Sequence, residues 1–122
     1  VVLSLNGNEQ RIVRRALGLS DSLDDLAAAA EIRQTLGLWR VALHARAGCQ
    51  MASADGVCHL PTPAIVERPA ILTGAGDAFN AGLCAALLLG WDDELCLALA
   101  SKVAGHYVAR GEPPRIEQLI PQ

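Results

Sequence analysis

Thr73-Gly74-Ala75-Gly76-Asp77-Ala78-Phe79-Asn80-Ala81-Gly82 is the stretch that decides how this chain reads. Small residues make a turn, and the turn leads into a helix whose first acid is Asp77. A glycine turn bares backbone N–H groups, and a helix N-terminus aims several of them, with its dipole, at one spot. An anion such as a phosphate suits that spot. A carboxylate beside it would repel the phosphate, so keeping both needs a reason. One reason is chemistry: Asp77 takes a proton from a hydroxyl while the N–H groups hold the phosphoryl group under attack. The plainer reading is an ordinary helix start, because acids in a first turn offset the dipole.

The residues that follow favour the first reading. From Ala78 to Leu89, Asn80 is the only polar side chain. A helix apolar all round belongs in a core, so a buried helix is expected from Asp77 to Leu89, with Asp77 at its mouth and Gly90 as its stop. Asp92 caps a further helix running to Arg110, and Gly111 ends it. Pro113-Pro114 then breaks the chain before a short tail helix near Ile116 to Leu119.

Upstream, Val1 to Leu5 predicts a short buried strand and Glu9 to Leu17 a helix stopped by Gly18. Ser22 with Asp25 opens an Ala-rich helix from Leu23 to Leu36, closed by Gly37. Its Leu26, Ala29, Ala30 and Leu36 fit one packed face. Val41 to Ala45 is a second strand. Asp55-Gly56, between Cys49 to Ala54 and Val57 to Leu60, is a hairpin turn signal. Pro61, Pro63 and Pro69 keep the next stretch extended. Strand–helix–strand with apolar strands argues for an α/β fold with a parallel sheet and helices on its faces. Ligands of such sheets bind at the carboxyl ends of strands. Asn6-Gly7-Asn8-Glu9 follows the first strand directly, at such an end.

A length of 122 residues suffices for one small domain. With 52% hydrophobic and 19% charged residues, the chain is globular rather than disordered. A net charge of -3 provides no basic footprint for nucleic acid. No apolar run approaches the roughly 20 residues of a membrane helix, and no secretory signal pattern is present. Cys49, Cys58, Cys84 and Cys96 form no Cys-x-x-Cys pair, and Cys84 and Cys96 fall in apolar helical patterns. They are expected as free, buried thiols of a reducing cytoplasm. His44, His59 and His106 share no metal spacing and read as structural or surface histidines.

Thr-Gly-Ala-Gly-Asp-x-Phe-x-x-Gly at residues 73–82 resembles the C-terminal signature of the ribokinase-like (PfkB) sugar kinases. Asn6-x-x-Glu9 resembles that family's Asn-x-x-Glu element at a strand end, and the order of elements also fits, so the resemblance covers nearly the whole chain. It implies that residues 1–122 form the C-terminal part of a single ribokinase-like domain, a mostly parallel sheet flanked by helices. The N-terminal sugar-binding half and lid would lie outside it. A start without Met, directly in an apolar strand-like run, agrees with that expectation.

The resemblance implies an ATP-dependent parent kinase that phosphorylates a hydroxyl of a sugar or nucleoside, and it is compatible with a homodimer. Carried over position by position, Asp77 would be the catalytic base, and Gly74, Ala75 and Gly76 the anion hole. Thr73, Gly48 and Ser101 would contact the nucleotide. Asn6 and Glu9 would hold waters around Mg²⁺. Two departures stand out. His44-Ala45-Arg46-Ala47 replaces the usual Gly-rich form before Gly48, and Ile71-Leu72-Thr73 lacks a carboxylate that helps relatives hold a monovalent cation. Two rival readings remain: a non-catalytic nucleotide- or sugar-binding protein, which would gain nothing from Asp77, and an inactive truncated piece.

Overall fold

A computed structural model describes residues 1–62 and 66–120; Pro63, expected in an extended stretch, lies outside the described residues. The chain divides into two compact units, Val1–Pro61 and Thr62–Gln122.

The first unit holds β1 (Val2–Asn6), α1 (Gly7–Ala16), α2 (Asp25–Leu36), β2 (Arg40–Ala45), β3 (Gly48–Ser53) and β4 (Gly56–Pro61). The strands lie in the order β1-β2-β3-β4. β1 and β2 are parallel, with Leu3 beside Val41, Leu5 beside Leu43 and Asn6 beside His44. Parallel neighbours need a crossover, and α1 and α2 supply it. β2, β3 and β4 are antiparallel neighbours joined by tight turns, and Gly56 takes a φ of 122° after the expected turn. The α/β fold is as expected, and the sheet is mixed: among the described residues one parallel pair is followed by a meander.

Alternate residues of a strand share a face. Leu5, Val41, Leu43 and Ala52 line one face of the sheet and form a core with Ala28, Ala29 and Ile32 of α2. Of the expected Leu26, Ala29, Ala30 and Leu36 set, Ala29 lies in this core and Ala30 packs against it, whereas Leu36 is 45% exposed. Four successive alanines leave the helix phase open. Ile32 sets it, taking Ala28 and Ala29, four and three residues earlier, onto its own side. The cap also differs. Asp24, not Ser22, accepts from the Ala27 N–H at 2.7 Å, while Ser22 is held in the preceding turn by the Ser20 hydroxyl. Arg14, buried on α1, donates to the Ser20 and Leu23 carbonyls at 3.0 and 2.7 Å and ties that connection down.

The second unit holds α3 (Ala75–Leu88), α4 (Asp93–Arg110) and α5 (Ile116–Leu119). Asp92 caps α4 by accepting from the Leu95 N–H at 2.9 Å, and Gly111, with a φ of 77°, ends it. α3 and α4 run antiparallel, since Gly82 meets Ala100 and Gly74 meets Tyr107. Their seam buries Phe79, Gly82, Leu83 and Ala86 against Cys96, Leu97, Ala100 and Val103. α5 is tied to α4 where the Lys102 ammonium donates to the Leu119 carbonyl at 2.5 Å.

α3 is not buried all round as expected. Ala81, Cys84 and Ala85 are exposed, and Leu88 is 89% exposed. Cys84 is correspondingly an exposed thiol, whereas Cys49 and Cys96 are buried. An apolar sequence shows which sides can be buried, not which sides have a neighbour.

A Cβ added at Gly82 would stand 2.8 Å from the Ala100 Cα. Gly82→Ala should therefore lower stability to urea by about 1–3 kcal/mol through overpacking. Gly105→Ala is the control: a Cβ there meets nothing within 4 Å, and stability should rise by roughly 0.5–1 kcal/mol from helix propensity. Equal effects at the two positions would contradict the tight seam.

Candidate functional site

The backbone at Gly74 has a φ of 91°, a conformation that favours glycine, and α3 begins immediately after it. Ala75 and Gly76 are thus the first two residues of the helix, rather than a turn ahead of it, and Asp77 is the third. A helix leaves its first four N–H groups without helical partners. Here the Ala75 N–H donates to the Leu72 carbonyl at 3.2 Å, and the Ala78 N–H begins the helical ladder by donating to Gly74 at 3.0 Å. The N–H groups of Gly74, Gly76 and Asp77 take no acceptor among the described residues, and no side chain caps the helix. Such an arrangement, amides without acceptors at the positive end of a helix dipole, is one that suits an anion. Asp77 is exposed and adds a carboxylate to the same end.

The approach to this turn is laced to the end of α4. The Ala70 and Ile71 N–H groups donate to the Val108 carbonyl at 2.8 and 3.4 Å. The Tyr107 hydroxyl donates to the Thr73 carbonyl at 3.0 Å. Sequence reasoning passed over Tyr107; the one available signal was that it is the chain's sole tyrosine. Thr73, Gly74, Ala75, Gly76 and Asp77 lie together as consecutive residues at the start of α3, and the Ala75 N–H, expected to face an anion, is taken by the Leu72 carbonyl. Ser101 is half-buried on α4, next to the Ala100 that packs on Gly82. It precedes Tyr107 by about 9 Å along the helix axis, apart from that group.

In the first unit, Asn6 and Glu9 cap α1 reciprocally. Asn6 Oδ1 accepts from the Asn8 and Glu9 N–H groups, each at 2.9 Å, and Glu9 Oε2 accepts from the Asn6 N–H at 2.8 Å. This capping box satisfies the exposed amides of the helix start. The second Glu9 oxygen has no hydrogen bond among the described residues. His44 is the register partner of Asn6 at the carboxyl ends of β1 and β2. Burial lowers its pKa, and the Glu9 charge partly opposes that shift.

Gly48 opens β3 opposite Ala45, at the same sheet edge. A Cβ there would stand 2.8 Å from the Leu60 carbonyl oxygen, so the close approach of β4 by itself requires a glycine. Further along β3, burial pushes the Cys49 thiol up to about 11, with Cys58 adding to the shift. Among the described residues no group of three or more His, Cys, Asp or Glu side chains could hold a metal ion directly, and no helix is long and apolar enough to cross a membrane.

A family profile described as prokaryotic ketohexokinase matches residues 1–121. The ketohexokinase of Haloferax volcanii is 32% identical over 120 residues, which are 98% of this chain and 31% of that protein. The chain thus spans less than a third of that relative's length. Among solved structures, the ribokinase of Thermotoga maritima superposes with a TM-score of 0.78 at 23% identity, over 97% of this chain and 40% of its own. The ligand-free nucleoside kinase of Burkholderia thailandensis gives 0.76 at 23% identity, over 97% and 37%. At these identities the likeness establishes the fold, and the mixed sheet with its helices agrees with it.

His44 offers a check on the sheet edge. A histidine whose folded pKa lies below its unfolded value is held neutral by the fold. Its contribution is complete above the unfolded value of 6.5 and is lost as pH falls through the interval down to the folded value. The urea midpoint should fall as pH is lowered from about 7.5 to 5.5, and His44→Gln should flatten part of that slope. An unchanged slope in the variant would assign the dependence to other groups.

Proposed function

The chain belongs to the prokaryotic ketohexokinase family and has the ribokinase-like fold, and from that premise we propose that its parent protein transfers the terminal phosphoryl group of ATP to a hydroxyl of a sugar. Within the wider class of sugars and nucleosides, the matched profile and the Haloferax relative favour a ketohexose. Residues 1–122 would be the C-terminal part of one kinase domain. The observation that carries the proposal is the start of α3, where three amides with no acceptor among the described residues share one helix end with the Asp77 carboxylate.

In this reading Asp77 accepts the proton of the attacking hydroxyl, which is a poor nucleophile until that proton has a destination. Positioned proton transfer of this kind contributes about 10² to 10⁴ in rate. The N–H groups of Gly74 and Gly76 stabilise charge on the phosphoryl group in flight, because they need no reorganisation when that charge develops; the Ala75 N–H, expected to join them, is engaged by the Leu72 carbonyl. Thr73, Gly48 and Ser101 are the proposed nucleotide contacts. When bound, Mg²⁺ would neutralise phosphate charge. Glu9 suits its water shell, since the carboxylate is held by the cap and keeps an oxygen available; Asn6 would serve by holding Glu9. A binding protein without catalysis is the weaker reading, because a carboxylate beside the amides opposes simple phosphate binding.

Asp77→Asn in the full-length parent should lower kcat by about 10² or more, with ATP affinity unchanged or improved, because a negative charge near phosphate is lost. Release of ADP with fructose as acceptor measures the first quantity and calorimetry the second. Turnover within a few-fold of wild type would remove Asp77 from the role of base. Gly76→Val should weaken ATP binding while the fold is kept, by placing a side chain beside the amides; unchanged affinity by calorimetry would contradict the anion-hole assignment.

A further inference from the structure

Tyr107 lies outside the motif on which the proposed function rests, yet it touches the motif's first peptide in two ways. Its hydroxyl donates to the Thr73 carbonyl at 3.0 Å. Its ring end also fills the space over the next residue: a Cβ on Gly74 would stand 2.7 Å from the Tyr107 oxygen and 3.3 Å from the ring carbon that bears it. The C=O of Thr73 and the N–H of Gly74 belong to one planar peptide, which is trans, since there is no cis bond among the described residues. In a trans peptide these two groups point in opposite directions. A hydrogen bond that holds the carbonyl toward α4 therefore turns the Gly74 N–H away from α4. That N–H has no partner among the described residues.

We infer that Tyr107 is a positioning residue: by fixing the Thr73–Gly74 peptide plane, it aims the Gly74 N–H into the anion-binding end of α3 beside those of Gly76 and Asp77. The peptide preceding a glycine with a φ of 91° would otherwise rotate easily, since glycine lacks the Cβ that restricts its neighbours. Tyr107 sits one helical residue before Val108, whose carbonyl accepts from Ala70 and Ile71. The last turns of α4 thus fix both the path of the loop and the tilt of its final peptide. Tyr107 touches neither nucleotide nor acceptor in this assignment; it acts through backbone orientation. The inference rests on the anion-binding role proposed for this turn.

The test uses the full-length parent. Tyr107→Phe removes the hydroxyl and keeps the ring. It should lower kcat and ATP affinity each by about 3- to 10-fold, the range of one net hydrogen bond, with the KM for fructose unchanged. Replacement by 4-aminophenylalanine, which keeps a donor at the end of the ring, should restore both. Loss in Phe with rescue by the amino analogue, at constant acceptor KM, supports the assignment. Values within twofold of wild type in Phe, a matching rise in acceptor KM, or failure of rescue overturns it. If the wild-type parent moves no phosphate from ATP to fructose, the proposed function fails, and two readouts still decide the role of Tyr107. These are calorimetric affinity for ATP and hydrogen exchange of the amides from residue 73 to 77. Weaker binding and faster exchange in Phe, reversed by the analogue, uphold it; no change in either overturns it.

Discussion

The contact of Gly82 with the Ala100 backbone is the constraint on which the second unit depends. A side chain at Gly82 would come within 2.8 Å of the Ala100 Cα, so only glycine lets α3 and α4 approach this closely. Close contact at one point fixes the register of two antiparallel helices along their length. From Gly82 back to Gly74 is about 12 Å of helix, and from Ala100 on to Tyr107 is about 10 Å. The two ends therefore arrive opposite each other, and Tyr107 meets the first peptide of the glycine turn. Packing in the middle of the hairpin thereby sets the geometry of amides at its end.

The first unit achieves order at a strand end by a different route. Parallel pairing of β1 with β2 brings Asn6 level with His44, and chain direction then makes both carboxyl-terminal. The capping box turns the chain sharply into α1 at that point. Its bonds engage one oxygen of Glu9 and leave the other available. A carboxylate has about four lone-pair sites, so holding a helix start and holding water around a cation are compatible duties. The same economy appears at Gly48, where the approach of β4 demands a glycine whether or not a nucleotide does.

Local chemistry explains why so much of the chain could be read in advance. Asp92 and Gly111 mark the ends of α4, Gly37 closes α2 and Gly56 shapes the hairpin; each acts through its own backbone or its nearest amides. The glycine turn with Asp77 is similarly local, which is why the start of α3 could be placed within two residues. The buried face of α2 was legible only in part: Ala29 and Ala30 meet the core, but four alanines pack almost equally well on any side and the choice belongs to Ile32 and the sheet it meets. The cap of α2 falls on Asp24 for a related reason: Ser22 and Asp24 are both competent acceptors, and the Ser20 turn occupies the serine.

Sequence alone determined the order of strands and helices, their stops, the turn that bares the α3 amides and the presence of an acid among them. Those features arise from residues within a few positions of one another. Tertiary structure decided which side of α3 packs on α4, how β1 pairs with β2, and that Tyr107 holds a peptide thirty-four residues earlier. Each of those outcomes depends on which distant surface arrives opposite, and helical or strand periodicity carries no information about the partner.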